Sequence, residues 1–295
     1  MNKVKTILAA VLTLVLAASC NKTEIASNEE ITVNYSISVP ATRALGQGEA
    51  VNKVWYAVYR TDGALVSAYQ AVDFTSGSAS CPVVMMRGQS YKVVFVAQHY
   101  DGTEKTDPTY EIIPETATMT IKPEKALANS DNYDVFTYVD EVLNYDGAPA
   151  EAVTLQRSVA QVNFTCNDTD WDNSVLLGMT PSHSAVILAG VPKSFNLLSG
   201  TASSETITLP YAKNIRPTGD KNLATVFCFV GADFTTDATI DLFTSETGPS
   251  VRTLTVPNVP VQSNYKTNIE GNIMTGSVNY TVTINPNATE TEHPF

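Results

Sequence analysis

The sequence predicts an all-β protein with two β-sandwich domains in tandem. Apolar and polar residues alternate in many short runs, and helical periodicity is scarce. Gly, Pro, Asn and Asp interrupt these runs about every ten residues, as in sandwich domains. The chain has 295 residues, more than one hydrophobic core usually supports. Two consecutive sandwiches fit all of these observations.

The N-terminus is typical of an export signal. Lys3 and Lys5 precede an apolar run over residues 7–16 that is too short to span a bilayer. Residues 1–19 are therefore interpreted as a signal peptide. Cys20 follows small residues, which resembles a lipobox whose thiol is acylated, for example with palmitate, although lipoboxes most often have Leu where this chain has Ala17. The alternative is plain secretion with an incidental Cys20.

Residues 20–30 are polar without apolar periodicity, so they are predicted to be a tether. The first sandwich is expected over residues 31–148. Its clearest signal is a hairpin, in which VWYAVYR (54–60) and ALVSAYQ (64–70) flank the turn residues 61–63. YKVVFVAQ (91–98) predicts another strand, and residues 132–143 are a candidate for a short helix.

The second sandwich is expected over residues 149–295. Asp146, Gly147 and Pro149 interrupt the strand pattern and mark the boundary. Further strands are predicted on both sides of it, in the runs TATMTIK, AVTLQR, VAQVNFTC, ATVFCFVG, ATIDLFT and VRTLTVP.

Nearly the same strand occurs near both ends of the chain, as VNYSISVP (33–40) and VNYTVTINP (278–286). Each places large side chains on one face and small polar ones on the other. The first apolar stripe consists of Ile31, Val33, Tyr35, Ile37 and Val39, and the second of Val278, Tyr280, Val282 and Ile284. The two segments are suited to the same groove, and chance similarity between two half-buried strands is the alternative.

The charge excludes some partners. The formal net charge is -12, and loss of residues 1–19, which contain two lysines and no acids, changes it to -14. Such a surface is a poor nucleic-acid ligand and is repelled by anionic lipid headgroups. Membrane attachment would therefore depend on the lipid at Cys20.

No catalytic motif is present, so the protein is predicted not to be an enzyme and to need no cofactor or metal. The histidines are His99, His183 and His293, and none accompanies a GxSxG elbow, a P-loop or a metal-ligand spacing. His183 lies among serines in a turn, where solvation is the usual role.

Three cysteines follow Cys20, namely Cys81, Cys166 and Cys228, so at least one thiol is unpaired. Cys228, in the apolar run ATVFCFVG, is expected in the core. The disulfide state of the three is open at this point.

The two tryptophans raise a binding alternative. Trp55 lies in an apolar strand and is expected in the core, whereas Trp171, in NDTDWDN, is a candidate for an exposed ring that stacks on sugars. A ring packed over its own loop is the simpler alternative. The rival function is therefore a cell-surface glycan-binding lipoprotein of a nutrient-uptake system.

Several segments, taken in order, resemble the fimbrillin family of type V pilus subunits from Bacteroidales, particularly its fimbrillin-like lipoproteins. The segments are PATRA (40–44), VWYAVYRTDGALV (54–66), YKVVFVAQ (91–98), LQRSVAQVNFTC (155–166), VPKSFNLLSG (191–200) and YKTNIEGNIMTG (265–276). The resemblance covers nearly all of the mature chain. It implies Greek-key, transthyretin-like sandwiches.

The resemblance also implies a route of assembly. The subunit would reach the cell surface as an outer-membrane lipoprotein, and an arginine-specific protease would cut between Arg43 and Ala44. This cut would remove the first strand, residues 31–39, and open an apolar groove. The C-terminal strand of a neighbouring copy or related subunit, residues 278–284, would fill the groove and extend a fimbrium used in cell adhesion. Stalk, tip and anchor roles are all open.

Overall fold

A computed structural model describes residues 29–40, 51–100, 109–150, 152–216 and 221–286. Twenty strands and one α-helix follow one another in these residues. They are β1 (Glu30–Ser38), β2 (Lys53–Arg60), β3 (Leu65–Asp73), β4 (Ser78–Met86), β5 (Tyr91–Gln98), β6 (Tyr110–Ile113), β7 (Thr118–Ile121), β8 (Phe136–Val142), β9 (Val153–Thr154), β10 (Gln156–Arg157), β11 (Val159–Cys166), α1 (Asp168–Leu176), β12 (His183–Pro192), β13 (Ser194–Asn196), β14 (Thr201–Ala202), β15 (Thr206–Ile215), β16 (Asn222–Phe229), β17 (Phe234–Phe243), β18 (Arg252–Val261), β19 (Tyr265–Asn272) and β20 (Asn279–Pro286).

The first sandwich packs a three-stranded sheet, in the order β4-β1-β9, on a five-stranded sheet, in the order β10-β8-β5-β2-β3. The predicted hairpin is confirmed, because β2 pairs antiparallel with β3. Strands β2 and β5 are buried along nearly their whole length. One face of each packs in the core of the first sandwich and the other in a second core, which explains their continuous apolar runs.

The second sandwich contains two four-stranded sheets, in the orders β16-β11-β19-β20 and β15-β12-β17-β18. Strand β11 pairs antiparallel with β16 and parallel with β19. Among the described residues, β20 pairs only with β19 and forms the edge of its sheet. The prediction of an all-β protein built from sandwiches is therefore confirmed.

A further sheet joins the two halves of the chain, in the order β14-β13-β7-β6. Its central pairing places Met119 of β7 opposite Phe195 of β13. Both side chains belong to the larger core, which also includes Trp55 and Tyr59 on the outer face of β2. The second core is therefore continuous from the first sandwich to the second.

One expectation about a helix was wrong. Residues 132–143 form a short 3-10 turn and then strand β8, because β8 pairs along seven residues with β5 and its Phe-Thr-Tyr-Val sequence favours strands. Helix α1 was not expected. Its sequence does carry a start signal, since the side chain of Asn167 accepts a hydrogen bond from the amide of Asp170 and acidic residues occupy the first turn.

The boundary at residues 148/149 stays a prediction. Two short strands lie after it and still pair with the first sandwich, with Val153 beside Ile37 and Arg157 beside Phe136. Arg157 also forms a bidentate ion pair with Asp134, with distances of 2.6 Å and 2.8 Å. The chain enters the second sandwich with β11.

Gly271 permits the close approach of β20 to β19. A Cβ atom at this position would meet the carbonyl oxygen of Asn279 and would lie 2.6 Å from the Cα of Tyr280. We expect Gly271→Ala to cost about 1–3 kcal/mol of the free energy of unfolding, as overpacking does, and to remove the hydrogen-exchange protection of β20 amides. The control is Thr281→Ala, which shortens an exposed side chain of the same strand. Unchanged protection of β20 in Gly271→Ala would contradict this account.

Candidate functional site

Strand β1 occupies the middle of the three-stranded sheet. It pairs with β4 along nine residues, from Glu30 opposite Met86 to Ser38 opposite Ser78. On its other side it pairs with β9 only through Ile37 and Ser38. The first strand of the described chain therefore completes a sheet that would otherwise be split in two.

The predicted alternation of β1 is confirmed. Val33, Tyr35 and Ile37 point inward, with 4%, 2% and 0% of their surface exposed, whereas Asn34 and Ser36 are exposed. Ile31 and Val39 are half-buried and pack on the same core. The five residues predicted to form the removable strand thus line the interior of the first sandwich.

Tyr35 connects the two sheets of this sandwich. Its hydroxyl donates a hydrogen bond of 2.7 Å to Oδ2 of Asp140 on β8, and its ring lies 5.0 Å from the ring of Phe95 on β5. Burial, and next the hydrogen bond to Asp140, raise the pKa of the Tyr35 phenol far above its usual value. The hydroxyl is therefore a permanent donor at physiological pH.

A cavity of about 410 Å³ lies beside the edge of β1 that β9 leaves free. Val33 and Tyr35 line it from β1, Asp140 lines it from β8, and the segment around Tyr145 forms another wall. The buried hydroxyl of Tyr145 has no hydrogen-bond partner in the part of the chain that the structure describes. The groove around β1 is thus incompletely filled at this end.

Cys81 lies on β4 directly opposite Tyr35. It is buried, and burial raises the pKa of its thiol to about 12, so the thiolate is scarce at neutral pH. Cys166 and Cys228 are also buried free thiols, which confirms the core position expected for Cys228. Cys81 is the thiol that removal of β1 would uncover.

Strand β20 carries the matching stripe in a different setting. It pairs with β19 along eight residues, and Tyr280, Val282 and Ile284 are only half-buried. Val278, just before the strand, is 40% exposed. The inward stripe of β1 lies in the core between the two sheets of the first sandwich, whereas the side chains of β20, on the edge of its sheet, only pack against the margin of the larger core.

Asp170 fixes the chain just before β20. Its carboxylate accepts hydrogen bonds from the amides of Ile273, Met274 and Thr275, at 2.7, 2.7 and 2.8 Å, and from the hydroxyl of Thr275 at 2.6 Å. Gly276 follows with a φ of +63°, a conformation that favours glycine. Residues 273–275, just before β20, are thus held by Asp170, and Gly276 lies between them and the strand.

Trp171, the candidate sugar-stacking residue, lies in the first turn of α1. It is half-buried and packs against the larger core. The guanidinium of Arg216 lies over its ring, 4.5 Å from the centroid. One aromatic face is therefore occupied by a cation. Trp55 is fully buried, as expected.

Several predicted residues lie outside the described residues, namely Cys20, Arg43, Ala44 and His293. Nδ1 of His183 is hydrogen-bonded to the hydroxyl of its neighbour Ser182 at 2.8 Å. No group of His, Cys, Asp and Glu suited to a metal ion occurs in the described ranges. Among the same residues, none of the helices has both the length and the apolar character needed to cross a membrane.

Sequence reasoning did not find Asp140, Asp170 or Gly271. Asp140 acts with Tyr35, which is 105 residues away in the chain, so no local pattern could indicate it. Asp170 carries a weak signal, because it follows the helix-start residue Asn167 by three positions. Gly271 stands inside an apparent strand, where an isolated glycine indicates close backbone approach.

These features define an all-β protein of two joined sandwiches, with a buried N-terminal strand and a similar strand at the C-terminal edge. The chain belongs to DUF6562, a family of unknown function, whose pattern matches residues 21–292. No curated protein matches the sequence.

Several solved structures are similar in fold. The tip fimbrial protein Mfa3 from Porphyromonas gingivalis, with a C-terminal truncation, has 11% identity and a TM-score of 0.48, with 86% of this chain and 99% of that chain covered. A fimbrial assembly protein from Parabacteroides distasonis has 12% identity and a TM-score of 0.44, with 88% and 97% covered. A protein provisionally named polysaccharide-binding, from Bacteroides thetaiotaomicron, has 15% identity and a TM-score of 0.48, with 88% and 100% covered. Fimbrial proteins of Bacteroidales, which the sequence resembles, are therefore among the structures that this chain is similar to.

Because the inward side chains of β1 are buried, truncation of one of them should destabilise the first sandwich. We expect Ile37→Ala to lower the free energy of unfolding of the first sandwich by about 2–5 kcal/mol, because it leaves a cavity under a fully buried side chain. The matched control is Ser36→Ala, one residue away on the exposed face, which should change it by less than about 0.5 kcal/mol. Urea denaturation measures both. Equal midpoints for the two variants would contradict the inward orientation of Ile37.

Proposed function

We propose that this protein is a structural subunit of a surface fimbria, assembled by donor-strand exchange. In this proposal the chain is exported as a lipoprotein acylated at Cys20, and an arginine-specific protease at the cell surface cuts after Arg43. The cut releases β1, and the C-terminal strand of another subunit, residues 278–284, takes its place. The observation that supports the proposal most is the central position of β1 in a sheet, together with the matching stripe on β20.

Loss of β1 would leave a groove with a strong tendency to bind a strand. Its nine pairs with β4 would be broken, which leaves a row of unpaired backbone groups on β4. The apolar floor of the groove, which includes Phe95 on the facing sheet, would also reach water, together with the flanking β4 side chains of Ala79, Cys81 and Val83. Burial of three large side chains contributes about 1.5–3 kcal/mol each before ordering costs. An added strand satisfies the backbone groups and the apolar surface together.

Strand β20 has the properties of a donor. It would leave its own sheet by breaking a single ladder, since β19 is the one described strand that pairs with it. Its apolar side chains are half-buried in its own sheet and would become fully buried in a groove like that of β1. The transfer therefore gains apolar burial. A head-to-tail contact of this kind does not close on itself and produces a filament.

The rival function, a cell-surface glycan-binding lipoprotein, has less support from the geometry. The ring of Trp171, the residue on which that function depended, carries the guanidinium of Arg216 on one face and packs on the core. A free aromatic face is what sugar stacking needs.

Digestion of the protein comprising residues 21–295 with an arginine-specific protease tests the proposal. We expect a cut after Arg43, loss of the N-terminal strand and growth of oligomer ladders, measured by mass spectrometry and size-exclusion chromatography. Arg43→Lys should stay intact and monomeric. Val282→Asp should be cut normally yet fail to form ladders, because it would bury a charge in an apolar groove.

The matched control is Thr283→Asp, which adds the same charge to the exposed face of β20 and should still assemble. Protein that stays whole, or that is cut and remains monomeric, would contradict the stalk role. It would leave an anchor or a glycan-binding lipoprotein as the next candidate.

Cys81 offers an independent readout of the same events. In the intact protein its buried thiol, with a pKa of about 12, should react with a maleimide slowly. We expect fast labelling of Cys81 once β1 is released and renewed protection in the assembled fibre. Cys166 and Cys228 are buried in the other core and serve as internal controls. Continued protection of Cys81 after release of β1 would show that the groove does not open.

A further inference from the structure

We infer that Asp140 selects both the register and the identity of the donor strand, by accepting a hydrogen bond from Tyr280 of a second copy of this chain. The inference rests on the proposed strand exchange. It assigns Asp140 and Tyr280 as specificity-determining residues, and it makes the partner subunit another copy of this protein.

Apolar burial alone does not fix the register. A slip of one residue turns polar side chains such as Asn279 and Thr281 toward the apolar floor, so odd slips are excluded by the two-residue period of a strand. A slip of two residues keeps the apolar stripe inward. Valine or isoleucine simply moves into the place of another apolar residue, and the alternating pattern tolerates it.

The Tyr35–Asp140 contact removes this ambiguity. Tyr35 is the one polar-tipped side chain in the inward stripe of β1, and its hydroxyl meets the Asp140 carboxylate at 2.7 Å. Among the described residues, this is the side-chain hydrogen bond that the structure gives Asp140. A donor shifted by two residues would set a valine side chain against the carboxylate. It would also lose the ring that packs on Phe95.

The donor strand of this chain carries the required residue at the required place. When its Val-Asn-Tyr is aligned with residues 33–35 of β1, Tyr280 takes the position of Tyr35, and Val282 takes that of Ile37. The tripeptide Val-Asn-Tyr occurs at these two places and nowhere else in the 295 residues. A second copy of the same chain is therefore the occupant that matches both the apolar floor and the carboxylate.

The hydroxyl of Tyr280 should carry a measurable share of the affinity. A hydrogen bond to a charged acceptor contributes an amount that corresponds to about a ten- to hundredfold change in affinity. In the free subunit, Tyr280 lies at the edge of the second sandwich and is half exposed, so it is less buried than Tyr35 is in β1. Removal of its hydroxyl should therefore affect assembly far more than the stability of the free subunit.

A double-mutant cycle measures this coupling in protein cut after Arg43. We expect Tyr280→Phe to weaken assembly about ten- to hundredfold, and to weaken it no further when the groove carries Asp140→Val. Tyr265→Phe, which removes a phenol hydroxyl from β19 outside the groove, should assemble like the unsubstituted protein. The free subunit's urea midpoint should be the same for both tyrosine variants.

The native thiol of Cys81 reports the register directly. In the β1 register Cys81 lies opposite the tyrosine position, so a cysteine at 278 or 282 reaches it only after a two-residue slip. Directly opposed cross-strand residues are close enough for a disulfide. We expect little oxidative cross-linking to Cys81 with Val278→Cys or Val282→Cys alone. The same variants combined with Tyr280→Phe should cross-link readily.

Three outcomes would overturn the inference. The first is assembly of Tyr280→Phe as tight as that of the unsubstituted protein. The second is an undiminished effect of Tyr280→Phe in Asp140→Val, and the third is equal formation of slipped cross-links with and without the tyrosine hydroxyl. In each case the unsubstituted protein still forms ladders, so strand exchange itself stands. If the unsubstituted protein does not assemble after the cut, both strand exchange and this inference are overturned. The unsubstituted sample therefore tests strand exchange separately from the variants.

Discussion

The first sandwich depends on β1 lying between β4 and β9. The strand supplies the only described pairing between these two, and its inward residues fill the space above β5 and β8. The hydrogen bond from Tyr35 to Asp140 connects the two sheets across this space. Because β1 comes from the N-terminus and β9 from position 153, the sheet joins parts of the chain far apart in sequence. One segment, attached to the remaining described chain through residues 41–50, thus completes an entire layer.

Similar stripes of apolar side chains occur in β1 and β20, with different burial. In β1 the stripe faces the opposite sheet of the first sandwich and is buried, whereas in β20 it lies at a sheet edge and is half exposed. The difference comes from the neighbours and not from the strands themselves. The buried stripe of β1 shows which groove such a strand fits. The half-exposed stripe of β20 shows a similar strand that is less completely covered. The two together give the proposed exchange a physical direction.

The sequence allowed the fold class, the hairpin of β2 and β3 and the alternation of β1 to be predicted, because each follows from local patterns. The pairing of Tyr35 with Asp140 could not be predicted, since it depends on how two distant strands face each other. The strand at 136–142 differs from the predicted helix because pairing with β5, and not the local pattern, decides its conformation. The sheet that joins β7 to β13 also lacks a local signal, since short strands from different halves meet only in the fold.

Asp170 has a mechanical consequence. In the proposed fibre, β20 would be held in a neighbouring subunit, and tension would enter each subunit through the turn just before that strand. The carboxylate of Asp170 ties this turn to α1 with four hydrogen bonds, while the preceding residues continue into β19, which pairs with β11 over six residues. A pulling force would therefore act on the hydrogen bonds of Asp170 and, in shear, on the ladder between β11 and β19. Many hydrogen bonds would have to break together before the subunit unfolds.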